Sequence, residues 1–262
     1  MTNDSTKRTV VYTSPDSVGI AGDLYLPTSG TPAPAVICAH GGAWKGGSRQ
    51  SYCFLGPYLA ERGYAVFSID YRVLAGTANR YPAAVDDVRA AIRYLREHAT
   101  EFNVDANRIA LMGDSAGGHL AALVGLTGKE QIKVVVGVYG IYDMAAQYRY
   151  DLAMRPHDNI TQNFLGVPLT EDRRPYFESS PLSYVTSKVA GPAFLLTWGT
   201  EDDAVAPWQS EMFRDALKAS GYYVRTVVVR APHYWISDPL DEPGSYSGFL
   251  APRLLRFLNE RL

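Results

Sequence analysis

Ile109-Ala110-Leu111-Met112-Gly113-Asp114-Ser115-Ala116-Gly117-Gly118-His119-Leu120 is the stretch on which the reading of this chain turns. Its first four residues are apolar and suit a buried strand, a helical pattern follows over 117–127, and a Gly-x-Ser-x-Gly pentapeptide is all that joins them. So tight a strand-to-helix turn puts its serine in a strained backbone conformation and leaves no space for side chains at the flanking glycines. Ser115 is thereby pushed out of the turn, beside the unpaired N–H groups and the positive end of the following helix, where a developing negative charge would be stabilised. The spacing marks Ser115 as a candidate nucleophile. A plain glycine-rich turn carries the same five letters, so the rest of the chain has to decide.

Working outward, apolar runs rich in β-branched residues recur at 35–39, 64–69, 134–139, 193–197 and 224–229, as at 109–112, without the polar alternation of a half-exposed strand. All are expected to be central strands. Residues 10–13 and 19–26, separated by the turn-forming Ser14-Pro15-Asp16-Ser17, are expected to form an antiparallel pair. Helices are expected at 52–62, from Pro82 with Val85, Val88, Ile92 and Leu95 on one face, at 117–127, at 207–220 ending before Gly221, and at 248–262. This alternation predicts an α/β protein with a mostly parallel eight-stranded sheet flanked by helices. From 143 to about 187 the rhythm breaks, and a short lid-like insertion is expected there.

The 262 residues suit a single domain, and 47% hydrophobic with 20% charged residues can bury a core unaided. Lys plus Arg number 25 against 27 Asp plus Glu, so nothing attracts a polyanion and no nucleic-acid partner is expected. Cys38 and Cys53 read as small buried thiols rather than a disulfide, which fits a reducing compartment. Residues 1–8 are polar, and no window approaches the run of about 20 apolar residues that spans a bilayer, so a cytoplasmic protein without membrane association is expected. A homodimer is compatible with the sequence.

His40-Gly41-Gly42-Ala43-Trp44 follows the strand at 35–39, where consecutive glycines can turn backbone N–H groups toward an oxyanion. The donors are assigned to Gly42, Ala43 and Ala116, with Gly41 in reserve; His40 braces the loop, and Trp44 is pocket wall or anchor. Among 5 His, His98 and His119 fall on helices as structural residues, His157 lies in the insertion, and His233 follows the strand at 224–229. His233 is the candidate base. The preceding strand ends in Trp198-Gly199-Thr200-Glu201-Asp202-Asp203-Ala204-Val205, giving the order serine, acid, histidine. Asp202 is taken as the acid that orients His233, with Asp203 in reserve. Asp70 and Arg72 read as a buried structural pair.

His40-Gly41-Gly42-Ala43-Trp44, Asp70-Tyr71-Arg72, Asp86-Asp87-Val88-Arg89-Ala90-Ala91 and Gly113-Asp114-Ser115-Ala116-Gly117-Gly118-His119 together resemble the esterase and lipase side of the α/β-hydrolase superfamily. Similarity runs from about Gly19 onward and is to the hormone-sensitive-lipase-like esterases and the related feruloyl/acetylxylan esterase and kynurenine formamidase branch. Ala43 stands where the former usually show a third glycine, and residues 1–8 are too few for their N-terminal cap, which favours the smaller branch. The resemblance implies an α/β-hydrolase fold, a Ser115-His233-Asp202 triad and no metal or organic cofactor. It further implies a serine carboxylesterase acting through an acyl-enzyme on a small-molecule ester, short-acyl or aromatic. An arylformamidase using the same triad is the alternative; a peptidase or a non-catalytic small-molecule-binding protein would be other uses of the scaffold. Trp44, Tyr142, Trp208 and Tyr234 are the candidate substrate-binding residues. The rings of Tyr142, Tyr148, Tyr150, Phe164, Tyr176, Phe177 and Tyr184 suit pocket walls, and equally suit packing of the insertion onto the core. Arg149, Arg155 and His157 could meet a substrate carboxylate, although exposed charges are commoner.

Overall fold

A segment apolar on both faces is stable only with a layer on each side, and the uninterrupted runs accordingly stack into one sheet between helices. The computed structural model describes residues 5–28, 30–128, 130–187 and 191–262, so the first four residues of the polar start fall outside the described residues. In chain order the elements are β1 (Ser5–Thr13), β2 (Ile20–Pro27), β3 (Ala33–Ala39), α1 (Leu55–Ala60), β4 (Ala65–Ile69), α2 (Ala83–Glu97) and α3 (Ala99–Phe102). Then come β5 (Val104–Asp114), α4 (Ala116–Leu126), β6 (Val134–Val138), α5 (Met144–Met154), α6 (Ile160–Leu165), α7 (Arg174–Ser179), β7 (Ala193–Gly199), α8 (Trp208–Ala219), β8 (Val224–Val229) and α9 (Tyr246–Arg261).

The sheet is eight-stranded in the order β1-β2-β4-β3-β5-β6-β7-β8. β2 runs antiparallel to both β1 and β4, and the remaining pairs are parallel. β5 lies between β3 and β6, so the serine turn at its end sits over the middle of the sheet. α4 has no polar face, being buried from Ala116 to Gly125, because the sheet lies under it and the 3-10 turn Pro181–Tyr184 of the insertion packs against it.

Three expectations change. β8 is an edge strand, not a central one: among the described residues nothing pairs beyond it, and its residues are half-buried or exposed. β-branched residues suit an edge as well as a centre, and only exposure of side chains such as Arg225 and Val228 separates the two. The helix expected over 52–62 is instead a 3-10 turn, Arg49–Tyr52, followed by the short α1. Asp70 and Arg72 are only partly buried, and each pairs with a different residue rather than with the other. Arg72 forks onto the buried Asp87 at 2.8–3.1 Å, while Asp70 pairs with Arg49. Arg49 also reaches Asp23, a fully buried carboxylate that takes Lys7 at 2.8 Å, Thr9 at 2.7 Å and Gln50 at 3.0 Å.

The insertion is helical, built from α5, α6 and α7, and Trp44 stacks on Phe164 of α6 at 4.4 Å between ring centres. Among the described residues no helix is long and apolar enough to cross a membrane.

Candidate active site

Ser115 follows the last residue of β5 with φ 51° and ψ −118°, a region that L-residues avoid, so the turn holds it under strain. The glycines around it are sterically required. A Cβ on Gly113 would strike the backbone of Gly117, and one on Gly117 would strike the carbonyl of Ala39 at the end of β3. The Ser115 N–H donates to Val138 O of β6 at 2.8 Å, which fixes the turn to the neighbouring strand.

His233 is buried, with Nε2 2.9 Å from Ser115 Oγ and Nδ1 2.6 Å from Asp202 Oδ2. A carboxylate only accepts, so Nδ1 carries the proton and Nε2 is free to accept from the serine hydroxyl. Asp202 is held in turn by the N–H groups of Ala204 at 3.0 Å and Val205 at 2.9 Å. The loops bearing acid and base are sewn together: Thr200 N–H donates to Val229 O and Glu201 N–H to Ala231 O, and a Cβ on Gly199 would hit the Ala231 carbonyl. Asp203, the reserve acid, is exposed and offers only its carbonyl, to Tyr150. Tyr139 bridges toward the serine side, its N–H donating to Thr197 O at 2.6 Å and its hydroxyl accepting from Ile236 N–H at 3.1 Å. Its ring centre lies 4.4 Å from that of His233.

Gly42, Ala43 and Trp44 all have positive φ, at 115°, 54° and 55°. A Cβ on Gly42 would meet the Gly46 backbone, whereas Ala43 holds a left-handed position that glycine would adopt without strain. Among the described residues neither the Gly42 nor the Ala43 N–H meets an acceptor, and Ala116, as the first residue of α4, has none within its helix. Gly41, the reserve donor, is already engaged: its N–H donates to Asp114 Oδ1 at 2.9 Å. The same Asp114 oxygen accepts from Tyr52 Oη at 2.9 Å. Burial pushes the Asp114 carboxyl up to about 6, against the pull of the Tyr52 and Gly41 hydrogen bonds.

The other histidines hold the surroundings. His40 stacks on Tyr71 at 4.2 Å, and burial lowers its pKa, so it stays neutral while bracing the loop. His119 accepts from Trp44 Nε1–H at 3.3 Å and donates from Nε2 to Ser179 O at 2.7 Å, joining the glycine loop, α4 and the insertion. Burial pulls its pKa down to about 4.

Ser115 and His233 open onto a cavity of about 230 Å³ lined also by Trp44, Ile141, Gln147, Arg155, Ile160, Val205 and Tyr234. A second, of about 180 Å³, shares Gly42 and Tyr234 with it and runs along Tyr139, Ile236 and Ser237, which gives a place to part of the segment after His233. Trp44 is thus both wall and anchor, and Tyr234, 72% exposed, stands at the mouth. Tyr142 and Trp208 are not brought to the cavity. Tyr142 is fully buried and stacked on Phe213 at 4.1 Å, and Trp208 lies exposed at the start of α8. None of the seven rings named in the insertion lines the cavity. Phe164 packs on Trp44 and Tyr176 on Tyr148, whereas Phe177 is largely exposed. Arg149 and His157 are exposed away from the cavity, while Arg155 lines it. Gln147 and Ile160 are wall residues that sequence reasoning missed, since they sit in an insertion without a motif.

The arrangement can pass a proton from a hydroxyl to an imidazole beside unpaired amides. Residues 22–217 match the family model described as BD-FAE. The chain belongs to the BD-FAE family. It thereby joins the esterase and lipase side of the α/β-hydrolase superfamily, and the matched segment holds Ser115 and Asp202 but stops short of His233. Similar curated proteins include Esterase LipC of Mycobacterium tuberculosis, 36% identical over 74% of this chain and 50% of that protein. Isoprenylcysteine alpha-carbonyl methylesterase ICME of Arabidopsis thaliana is 30% identical over 83% of this chain and 55% of that protein. This BD-FAE member therefore spans about half the length of the curated relatives it matches. The solved structure of the thermophilic esterase Est2 from Thermogutta terrifontis superposes with a TM-score of 0.80 at 25% identity, covering 97% of this chain and 92% of that one.

Proposed function

We propose that the chain is a serine carboxylesterase for small esters, with Ser115 as nucleophile, His233 as general base and acid, and Asp202 as the group that orients His233. What supports the reading is the unbroken line from Asp202 through His233 to Ser115, at 2.6 and 2.9 Å, ending beside the unpaired N–H groups of Gly42 and Ala43. The esterase names of its relatives agree with it.

His233 Nε2 takes the hydroxyl proton as Ser115 Oγ attacks the ester carbonyl. The tetrahedral oxyanion lies against the N–H groups of Gly42, Ala43 and Ala116, each worth about 3 kcal/mol of transition-state stabilisation. Nε2 then returns the proton to the leaving alkoxide, so an alcohol departs and the acyl group stays on Oγ. Water next gives its proton to Nε2 and its hydroxide to the acyl carbon; the acid leaves and Ser115 regains its proton. Throughout, Asp202 holds the Nδ1–H and stabilises the imidazolium. Cavities of about 230 and 180 Å³ favour short chains over long ones.

The test is a panel of 4-nitrophenyl esters of rising acyl length with N-formyl aromatic amines alongside. Burst kinetics on short esters are expected, with kcat lowered about 10⁴- to 10⁶-fold in Ser115→Ala. Normal hydrolysis by that variant would refute the assignment, and faster turnover of the formamides would move it to the arylformamidase alternative.

A further inference from the structure

The loop after β3 is a row of trans peptide units, in each of which the N–H points opposite to the C=O it shares a plane with. Its donors are therefore aimed by whatever grips the carbonyls behind them. The Gly42 carbonyl accepts from the N–H groups of Lys45 and Gly46, both at 3.0 Å, which leaves the Ala43 N–H facing the other way. The Gly41 carbonyl accepts from His40 Nδ1–H at 2.6 Å, and this turns the Gly42 N–H likewise. One unit earlier both ends are taken: the His40 carbonyl accepts from Tyr71 Oη at 2.7 Å, and the Gly41 N–H donates to Asp114 Oδ1 at 2.9 Å. Of these grips only the last reaches across from the strand that carries the serine, for Asp114 ends β5 and is bonded directly to Ser115. Its carboxyl group is fixed in its turn. Tyr52 Oη donates to the same Oδ1 at 2.9 Å and lies 3.3 Å from Ala39 O at the end of β3, while Oδ2 lies so close over Gly41 that a Cβ there would collide with it.

We infer that Asp114 is a positioning residue for catalysis: through the Gly41 N–H it holds the Gly42 and Ala43 donors at a set distance from the nucleophile that follows it. Without an acceptor at 114 the Gly41 N–H is stranded, and the peptide between His40 and Gly41 is held only at its carbonyl end, free to rock and to carry Gly42 with it. Formation of the acyl-enzyme and its hydrolysis both pass through an oxyanion on the same donors, so both steps slow together. What the loop needs from residue 114 is an accepting oxygen, not a charge, and an asparagine carbonyl supplies one. This rests on the esterase reading above and adds to it a residue that acts through another.

The test follows 4-nitrophenyl acetate by rapid mixing and in the steady state, in the wild type and in Asp114→Ala, Asp114→Asn and Tyr52→Phe, each first shown to be folded by its thermal transition. Asp114→Ala is expected to lower the burst rate and kcat by the same factor, about 10- to 100-fold, with KM held within about twofold. Asp114→Asn should recover kcat to within about threefold of the wild type, and Tyr52→Phe, which loosens one side of Oδ1, should fall between the two. Where Asp114→Ala does not fold, a lowered kcat at constant KM in Tyr52→Phe decides. An undiminished kcat in the deciding variant, a loss confined to KM, or no recovery with asparagine would overturn the inference. Absence of all ester turnover by the wild type, with no fluorophosphonate attached at Ser115, would instead overturn the esterase reading.

Discussion

Asp114 carries its carboxyl group where charge is disfavoured, and that has a measurable sign. In the native protein burial raises its pKa to about 6, against 3.8 for the ordinary side chain. Between those values the folded state keeps a proton that the unfolded chain releases. Its contribution to stability is therefore full below about pH 4 and is lost as pH rises through about 6, a change on the order of 3 kcal/mol. An asparagine can still accept from Gly41 N–H and Tyr52 through its carbonyl oxygen but cannot ionise. Asp114→Asn is accordingly expected to match the wild type in urea denaturation at pH 4 and to exceed it by up to about 3 kcal/mol at pH 8. An unchanged difference between the two pH values would show that Asp114 does not hold its proton there.

At the scale of elements, the insertion is attached to the site through His119, which bonds Trp44 on one side and Ser179 on the other. Since burial depresses its pKa to about 4, its contribution is present above pH 6.5 and is lost as pH falls toward 4, the reverse of Asp114 over much the same window. His119→Ala removes the ring and strands two buried polar groups. It should cost about 2–4 kcal/mol and speed amide exchange in α6 and α7, read by hydrogen–deuterium exchange with mass spectrometry. Unaltered exchange there would mean that the other contacts of the insertion, among them the stacking of Trp44 on Phe164 and the Tyr81 N–H bond to Phe164 O, hold it without His119. The role of such elements was only partly legible in the sequence. Ser115, His233 and Asp202 could be found because each follows a strand, where the tight turn, the glycines and the chain order all constrain the residue. Gln147 and Ile160 could not, because they line the cavity from an insertion that has no motif to mark which of its residues face inward. Tyr142 and Trp208 misled for the opposite reason: an aromatic ring looks the same in a sequence whether it lines a cavity or fills the core.

Across the whole molecule, the loops after β3, β5, β7 and β8 converge at the carboxyl ends of the parallel strands, where open α/β sheets bind ligands. The strands and their mostly parallel run were legible as alternation, but not their order in the sheet or the position of β8 at its edge, because pairing partners leave no local mark on a β-branched run. The antiparallel end of the sheet is fastened to this face by Asp23, buried beneath Lys7 and Arg49. Asp23→Ala removes the buried acceptor shared by Lys7, Thr9, Arg49 and Gln50 and should cost about 2–3 kcal/mol in urea denaturation. Glu201→Ala, which breaks the exposed pair with Arg230, should change stability by less than about 1 kcal/mol. Comparable losses would mean that burial does not rank these ion pairs. Lastly, Val138 and Tyr139 touch both sides of the site: one receives the serine turn, the other grips the strand of the acid and the loop past the base. That single strand end is a spacer between two prefabricated halves. Its backbone path sets how far hydroxyl and imidazole stand apart, so the reach between them can be retuned at one place without rebuilding either side.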